Sequence, residues 1–105
     1  MAFTHITFQK KNKVATITLN EPPSNWLTIL MMREIVEAIM DVKKDPTIQL
    51  LVFDHAGEKA FCDGVDVADH TPDKVLDMIE VFHRMFRLME ELDCTTVALE
   101  NGRSL

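Results

Sequence analysis

The segment best suited to chemistry spans residues 58–67, which read EKAFCDGVDV. Gly64 stands in the middle of it, and a glycine can take a positive φ or let a ligand approach the backbone closely. The amide N–H of the next residue, Val65, could then point outward as a fixed donor of the kind that an oxyanion hole needs. A plain turn at Gly64 is the alternative, and a single glycine does not separate the two.

The other potentially reactive side chains favour structural roles over metal-binding or catalytic ones. Seven potential metal ligands crowd one loop, but no pair has a recognised ligand spacing, so we expect no metal and a solvated polar loop instead: Asp54, His55, Cys62, Asp63, Asp66, Asp69 and His70. Cys62 has no assignable base, which favours a small packed thiol over a nucleophile. His83 is followed by Arg84 on the polar side of a predicted helix, which indicates a surface histidine.

Composition and charge bound the class of protein. The chain has 105 residues, is 47% hydrophobic and carries a formal net charge of −6, so it predicts one small globular domain over residues 1–105. An acidic chain lacks the basic surface that nucleic acids or anionic membranes attract, and no apolar run is long enough to span a bilayer. The N-terminal residues show no export signal, and Cys62 and Cys94 suggest two free thiols. Together these features predict a cytoplasmic protein.

The first half of the chain predicts two strands and a helix. Residues 6–8 and the β-branched Val14–Leu19 read as strands joined by a polar turn over residues 10–13. Two consecutive prolines, Pro22 and Pro23, end the second strand. A helix should begin near Thr28 as its N-cap and end before Asp45, since the residue preceding a proline leaves the α region.

The second half predicts a strand, a loop, a helix and a last strand. The apolar run at residues 49–53 is typical of a strand buried on both faces, and residues 54–70 lack any period and form the loop with the candidate site. The sequence Thr71-Pro72-Asp73 predicts a capped helix start, with the helix running to about residue 93. Its single apolar stripe should pack in the core: Val75, Met78, Ile79, Phe82, Met85, Phe86, Met89 and Leu92. Residues 95–99 form a strand and 101–102 a turn, giving an α/β fold of order β-β-α-β-α-β with parallel strands.

Three stretches in this order resemble the N-terminal part of the crotonase superfamily, the enoyl-CoA hydratases and isomerases. Residues 14–28, VATITLNEPPSNWLT, are similar to the family's second strand and its N-x-P…N-x-L-S/T entry to the first helix. Residues 59–66, KAFCDGVD, resemble its A-F-[CS]-x-G-x-D loop, which is the most specific of the three. Residues 96–102, TVALENG, resemble its P-x-I-A-x-x-N-G strand. The resemblance implies a crotonase-type ββαβαβ spiral core in truncated form.

The resemblance also implies a chemistry. These enzymes bind acyl-CoA thioesters and stabilise an enolate with two backbone N–H groups, and Val65, following Gly64, matches the first donor. Carbonyls around Asp63 and Val65 would face the adenine end of CoA, and Trp26 and Leu27 would line the CoA channel. Coenzyme A enters as part of the substrate, so no separate cofactor is implied.

The resemblance covers less than half of a complete family member. The second donor and the acid/base glutamates of hydratases would lie beyond Leu105, and Glu100 stands at a usually apolar strand position. We therefore expect the isolated chain to be inactive in hydration, and a non-catalytic acyl-CoA-binding or oligomeric assembly module stays open as the alternative. Exposed apolar faces predict a homo-oligomer. Residues 64–75 and Phe82-His83 resemble the branch acting on cyclic dienoyl-CoA thioesters.

Overall fold

The computed structural model describes residues 3–57, 60–62, 64, 71–100 and 103–104, and these contain six strands and two helices. The order is β-β-α-β-β-α-β-β, so two short strands join the predicted elements. The elements are β1 (Ile6–Lys11), β2 (Val14–Leu19), α1 (Ile29–Lys44), β3 (Leu50–His55), β4 (Ala60–Cys62), α2 (Val75–Glu90), β5 (Thr95–Ala98) and β6 (Arg103–Ser104).

The main sheet has the strand order β1-β2-β3-β5. The β1–β2 hairpin is antiparallel, and β3 pairs in parallel with β2 and with β5, which confirms the predicted α/β arrangement. The hairpin turn is shorter than the predicted residues 10–13, because β1 runs to Lys11. Only Asn12 and Lys13 form the turn, with φ of 53° and 68°, and positive φ at both positions suits the right-handed twist of the flanking strands.

Helix α1 forms as the sequence predicts. The Thr28 hydroxyl accepts the N–H of Met31 at 3.0 Å, which satisfies one of the unpaired amides at the helix start. The helix ends at Lys44, just before Asp45 and Pro46. Its buried stripe packs with the inward side chains of β2 and β3 to form the core: the fully buried members include Ala15, Ile17, Met31, Met32, Ala38, Ile39 and Leu51.

An ion-pair cluster ties β1 to the end of α1. Lys10 Nζ lies 2.8 Å from Asp41 Oδ1 and 3.0 Å from Asp45 Oδ2. The Thr47 hydroxyl and the Lys10 ammonium both donate to Asp45 and lower the pKa of its carboxyl to about 2. The two carboxylates in turn raise the pKa of Lys10. Lys10 and Asp45 therefore each favour the charged form of the other.

The predicted start of the second helix at Thr71 is wrong. Helix α2 begins at Val75, and residues 71–74 form a turn in which the Thr71 hydroxyl bonds Asp73 Oδ1 at 2.5 Å. That hydroxyl hydrogen goes to a carboxylate two residues away, so the side chain serves a local turn rather than a helix cap. The helix also ends at Glu90, earlier than predicted.

The apolar stripe of α2 is only partly in the core, which corrects the prediction that all of it packs inside. Met78, Val81 and Met85 are buried, whereas Ile79 and Phe86 are 42% and 44% exposed. Helix α2 packs mainly on α1. Its other apolar flank therefore faces an open space beside β5 instead of a covered sheet.

The region of β3 and the following loop differs from prediction in two ways. Strand β3 runs on to His55, and of the predicted buried run only Leu51 is fully buried, whereas Leu50, Val52 and Phe53 are partly exposed. Residues 60–62, predicted as loop, form β4, which pairs in parallel with β6. That pairing joins residues 42 and 43 positions apart and leaves no local pattern. Glu100 is exposed, which relieves it of any burial cost.

Three further expectations concern the exposure of His83, the turn at residues 101–102 and membrane-spanning segments. His83 is exposed on α2, as predicted. The predicted turn at residues 101–102 lies outside the described residues. In the part of the chain that the structure describes, neither helix is long and apolar enough to cross a bilayer.

Candidate functional site

Gly64 and Leu27 meet, although they are 37 positions apart in the chain. The N–H of Leu27 donates to the carbonyl of Gly64 at 2.8 Å. Gly64 has a φ of 97°, the positive value that the sequence suggested. A Cβ built on it would meet nothing within 4 Å, so the glycine is needed for its backbone conformation and not for space. The Trp26–Leu27 segment and Gly64 are therefore neighbours in the fold.

Cys62 supports the same loop from inside. Its side chain is 6% exposed, and its sulfur accepts the N–H of Gly64 at 3.3 Å. Cys62 and Cys94 are both free thiols. Cys62 is therefore a packed thiol, as predicted, and its sulfur holds the N–H of Gly64.

Asn25 is a site residue that sequence reasoning missed. It is the polar side chain in the described core, with no exposed area. Its Nδ2 donates to the carbonyls of Ala56 and Ala60, each at 3.0 Å, and its Oδ1 accepts the N–H of Glu21 at 2.9 Å. Its φ of 49° is one that asparagine tolerates better than most residues. The available signal was an asparagine just after Pro22-Pro23, but its burial came only with the fold.

An apolar cleft of about 350 Å³ opens between α2 and the β3–β5 side of the sheet. Two residues next to Gly64 line this cleft: Cys62, two positions before it, and Leu27, whose N–H bonds its carbonyl. Apolar side chains, among them three phenylalanines and two methionines, form most of its wall, which suits an aliphatic or aromatic group better than a charged one. The full lining is Leu19, Leu27, Ile35, Phe53, Phe61, Cys62, Met85, Phe86, Met89, Thr96 and Ala98.

A polar depression lies at the carboxyl ends of β3 and β5, where ligands commonly bind in open parallel sheets. Asp54, His55 and Glu100 line it. The His55 ring packs edge-to-face on Phe61, with 5.3 Å between centroids. The backbone N–H of His55 donates to Asp54 Oδ1. Phe61 belongs to the apolar cleft, so polar and apolar surfaces meet at this edge.

Trp26 is 38% exposed beside the buried Asn25 and the half-buried Leu27. An exposed indole next to a cleft is available for contact with a ligand. Two predicted site residues, Asp63 and Val65, lie outside the described residues, and so do Asp66, Asp69 and His70 of the possible metal ligands. Among the side chains that are described, no three histidine, cysteine, aspartate or glutamate groups converge as a metal site would require.

Comparison with known proteins identifies the class. The family model described as enoyl-CoA hydratase/isomerase matches residues 14–104, which is most of the chain. The solved structure of Pseudomonas aeruginosa DspI superposes with a TM-score of 0.90 at 25% identity, covering 99% of this chain and 41% of that one. The chain belongs to the enoyl-CoA hydratase/isomerase family and has the N-terminal part of the crotonase fold.

Two curated relatives align with the whole chain and have names that state a chemistry. A crotonyl-CoA hydratase from Syntrophomonas wolfei subsp. wolfei is 30% identical over 109 residues, covering all of this chain and 42% of that protein. A short-chain-enoyl-CoA hydratase from Clostridium acetobutylicum is 28% identical over 112 residues, with the same coverage. The chain thus spans about two fifths of the length of these relatives and corresponds to their N-terminal part. The branch acting on cyclic dienoyl-CoA thioesters stays a prediction.

Proposed function

We propose that this chain forms the thioester-binding part of an enoyl-CoA hydratase/isomerase-type enzyme. The observation that carries the proposal is the Leu27–Gly64 hydrogen bond, 2.8 Å long, at the rim of an apolar cleft. It brings the segment expected to line a CoA channel against the loop expected to hold the thioester. An acyl chain would enter the apolar cleft, and coenzyme A would arrive as part of the substrate, with no separate cofactor.

In this proposal the Val65 N–H is the oxyanion donor. Negative charge develops on the thioester oxygen when a proton leaves the α-carbon, and a donor already aimed at that oxygen stabilises the enolate without reorganising. The positive φ of Gly64 supports this assignment, because such a bend turns the following peptide. Trp26 and Leu27 would contact the CoA moiety, and backbone carbonyls around Asp63 and Val65 would face its adenine end.

We further propose that the 105-residue chain binds an acyl-CoA thioester but does not catalyse its hydration. A tenable alternative is a non-catalytic acyl-CoA-binding or assembly module. Exposed apolar side chains on α2 and β5, including Ile79 at 42% and Val97 at 39%, favour self-association through that surface, so the chain is proposed to be a homo-oligomer. The free thiols Cys62 and Cys94 suit a reducing compartment and hence a cytoplasmic location.

Binding and the oxyanion donor are tested together with acetoacetyl-CoA, whose enolate has its own ultraviolet absorbance. The wild-type chain should bind it by calorimetry and raise the enolate fraction. Val65→Pro removes the N–H and should abolish the enolate signal, whereas the matched Val65→Ala keeps the N–H and should retain it. Equal enolate signals from the two variants would overturn the assignment of Val65. Absence of any binding to the wild type would overturn the proposed function.

Turnover and assembly need separate measurements. Crotonyl-CoA should be bound without loss of its conjugated absorbance, and steady hydration by the purified chain would contradict the proposed inactivity. Sedimentation at micromolar concentration should show an oligomer, and Val97→Lys should shift it toward monomer. Leu30→Lys, which changes a more exposed apolar residue on α1, is the control and should leave the mass unchanged. A monomeric wild type would refute self-association.

A further inference from the structure

Asn25 joins the two segments on which the proposed site depends. Its Nδ2 group uses both hydrogens, one on the carbonyl of Ala56 and one on the carbonyl of Ala60, and so closes the base of the β3–β4 connection. Its Oδ1 accepts from the Glu21 amide on its own side. An amide is the side chain that fits this arrangement, since it presents two donors and an acceptor in one plane.

The backbone around Asn25 transmits this attachment to the site. The Asn25 N–H donates to the Glu21 carbonyl at 2.8 Å, forming a tight turn, and its φ of 49° directs the chain toward Leu27. Leu27 then bonds Gly64. The Trp26–Leu27 segment is therefore attached at two places. The Asn25 side chain bonds the β3–β4 connection, and the Leu27 N–H, two residues later, bonds the Gly64 carbonyl.

We infer that Asn25 is a positioning residue, which sets the spacing between the Trp26–Leu27 segment and the Gly64 loop. This inference rests on the proposed function for its ligand, but its structural content is independent of it. Loss of the amide donors removes the Asn25 hydrogen bond from the Ala60 carbonyl, and water cannot readily replace it because Ala60 is fully buried. The loop would then move to find water or another donor, and Gly64 would move with it.

Two variants separate the amide from the backbone conformation. Asn25→Asp keeps the acceptor and the size but sets a carboxylate against two carbonyls. Asn25→Gly keeps access to positive φ and removes the side chain. The matched controls are Asn12→Asp and Asn12→Gly, since Asn12 has a similar φ of 53° but lies exposed in the β1–β2 turn.

The readouts distinguish positioning from mere support of the fold. Trp26 is the single tryptophan, so its emission and acrylamide quenching report on this segment. In folded Asn25→Gly, the amide resonances of Leu27 and Gly64 should shift, and affinity for crotonyl-CoA should fall at least tenfold at a temperature well below the variant's melting transition. The Asn12 variants should change neither.

Unchanged Leu27 and Gly64 resonances in a folded Asn25 variant would overturn the inference, and so would unchanged crotonyl-CoA affinity. If the wild type binds no crotonyl-CoA, the proposed function fails, while the resonances still decide whether Asn25 sets the loop. If neither variant folds, the wild type decides: the Asn25 side-chain NH₂ signals should be protected from solvent exchange at least a hundredfold, and rapid exchange would refute the clamp.

Discussion

Replacing Gly57 and Gly64 separately by alanine tests why each position near the candidate site is a glycine. Gly57 and Gly64 have similar φ values of 84° and 97°, so alanine is strained at both. They differ in surroundings. A Cβ on Gly64 meets nothing within 4 Å, whereas one on Gly57 would lie 3.0 Å from the Cβ of Pro22. The pair therefore separates backbone strain from steric overlap.

The magnitudes follow from these two facts. A residue held in a sparsely populated region costs about 1–3 kcal/mol, and replacing glycine recovers about 0.4–1 kcal/mol from the unfolded chain. Gly64→Ala should therefore lower the free energy of unfolding by about 1–2 kcal/mol. Gly57→Ala carries a similar strain and adds about 1–3 kcal/mol for overpacking against Pro22. It should cost about 2–5 kcal/mol in total.

The assay is urea unfolding followed by helix circular dichroism and Trp26 emission. With a slope of about 1.5 kcal/mol per molar, Gly64→Ala should lower the midpoint by roughly 1 M and Gly57→Ala by roughly 2 M. A double-mutant cycle with Pro22→Gly, which deletes the overlapping Cβ, should relieve Gly57→Ala by at least 1 kcal/mol and leave Gly64→Ala unaffected. Equal costs for the two alanines, or no coupling to Pro22, would refute the reasoning.

Two further predictions concern the core and the acid range. Leu51→Ala, at a fully buried position of β3, should cost about 2–5 kcal/mol by thermal unfolding, whereas Leu76→Ala, 78% exposed, should stay within about 0.5 kcal/mol; similar losses would contradict the assigned core. The pKa of Asp45 is lowered from 3.8 to about 2, so its ionised form adds stability above pH 4 that is lost as the pH falls toward 2. The melting temperature of Asp45→Asn should fall less over this range than that of the wild type, and Thr47→Val should move the loss to higher pH. An identical acid profile for all three proteins would rule out this contribution.

Local sequence was enough for elements whose stabilising contacts are local. The Thr28 cap, the end of α1 before Pro46, and the β2 strand all depend on neighbouring residues, and all form as predicted. The parallel sheet followed from the alternation of strands and helices. The family resemblance of residues 59–66 and the bend at Gly64 could be recognised for the same reason, because the positive φ of Gly64 is a local property of the backbone.

The tertiary structure decided what depends on distant partners. Thr71 looked like a cap, but Asp73 takes its hydroxyl hydrogen and α2 begins later. Strand β4 exists because residues 103–104 lie beside it. Phe86 has an apolar pattern typical of the core, yet it lines an open cleft, since periodicity gives a face but not what covers it.

Asn25 shows the same division within the site. Its type and its place after two prolines are compatible with an ordinary turn, in which only its Oδ1 has a nearby partner, the N–H of Glu21. Only the fold brings the carbonyls of Ala56 and Ala60 to its amide. The sequence alone showed the motifs that resemble the family and the residues proposed to carry its chemistry. Tertiary packing determined how the described residues around them are held, because hydrogen bonds across 31 and 35 positions leave no local pattern.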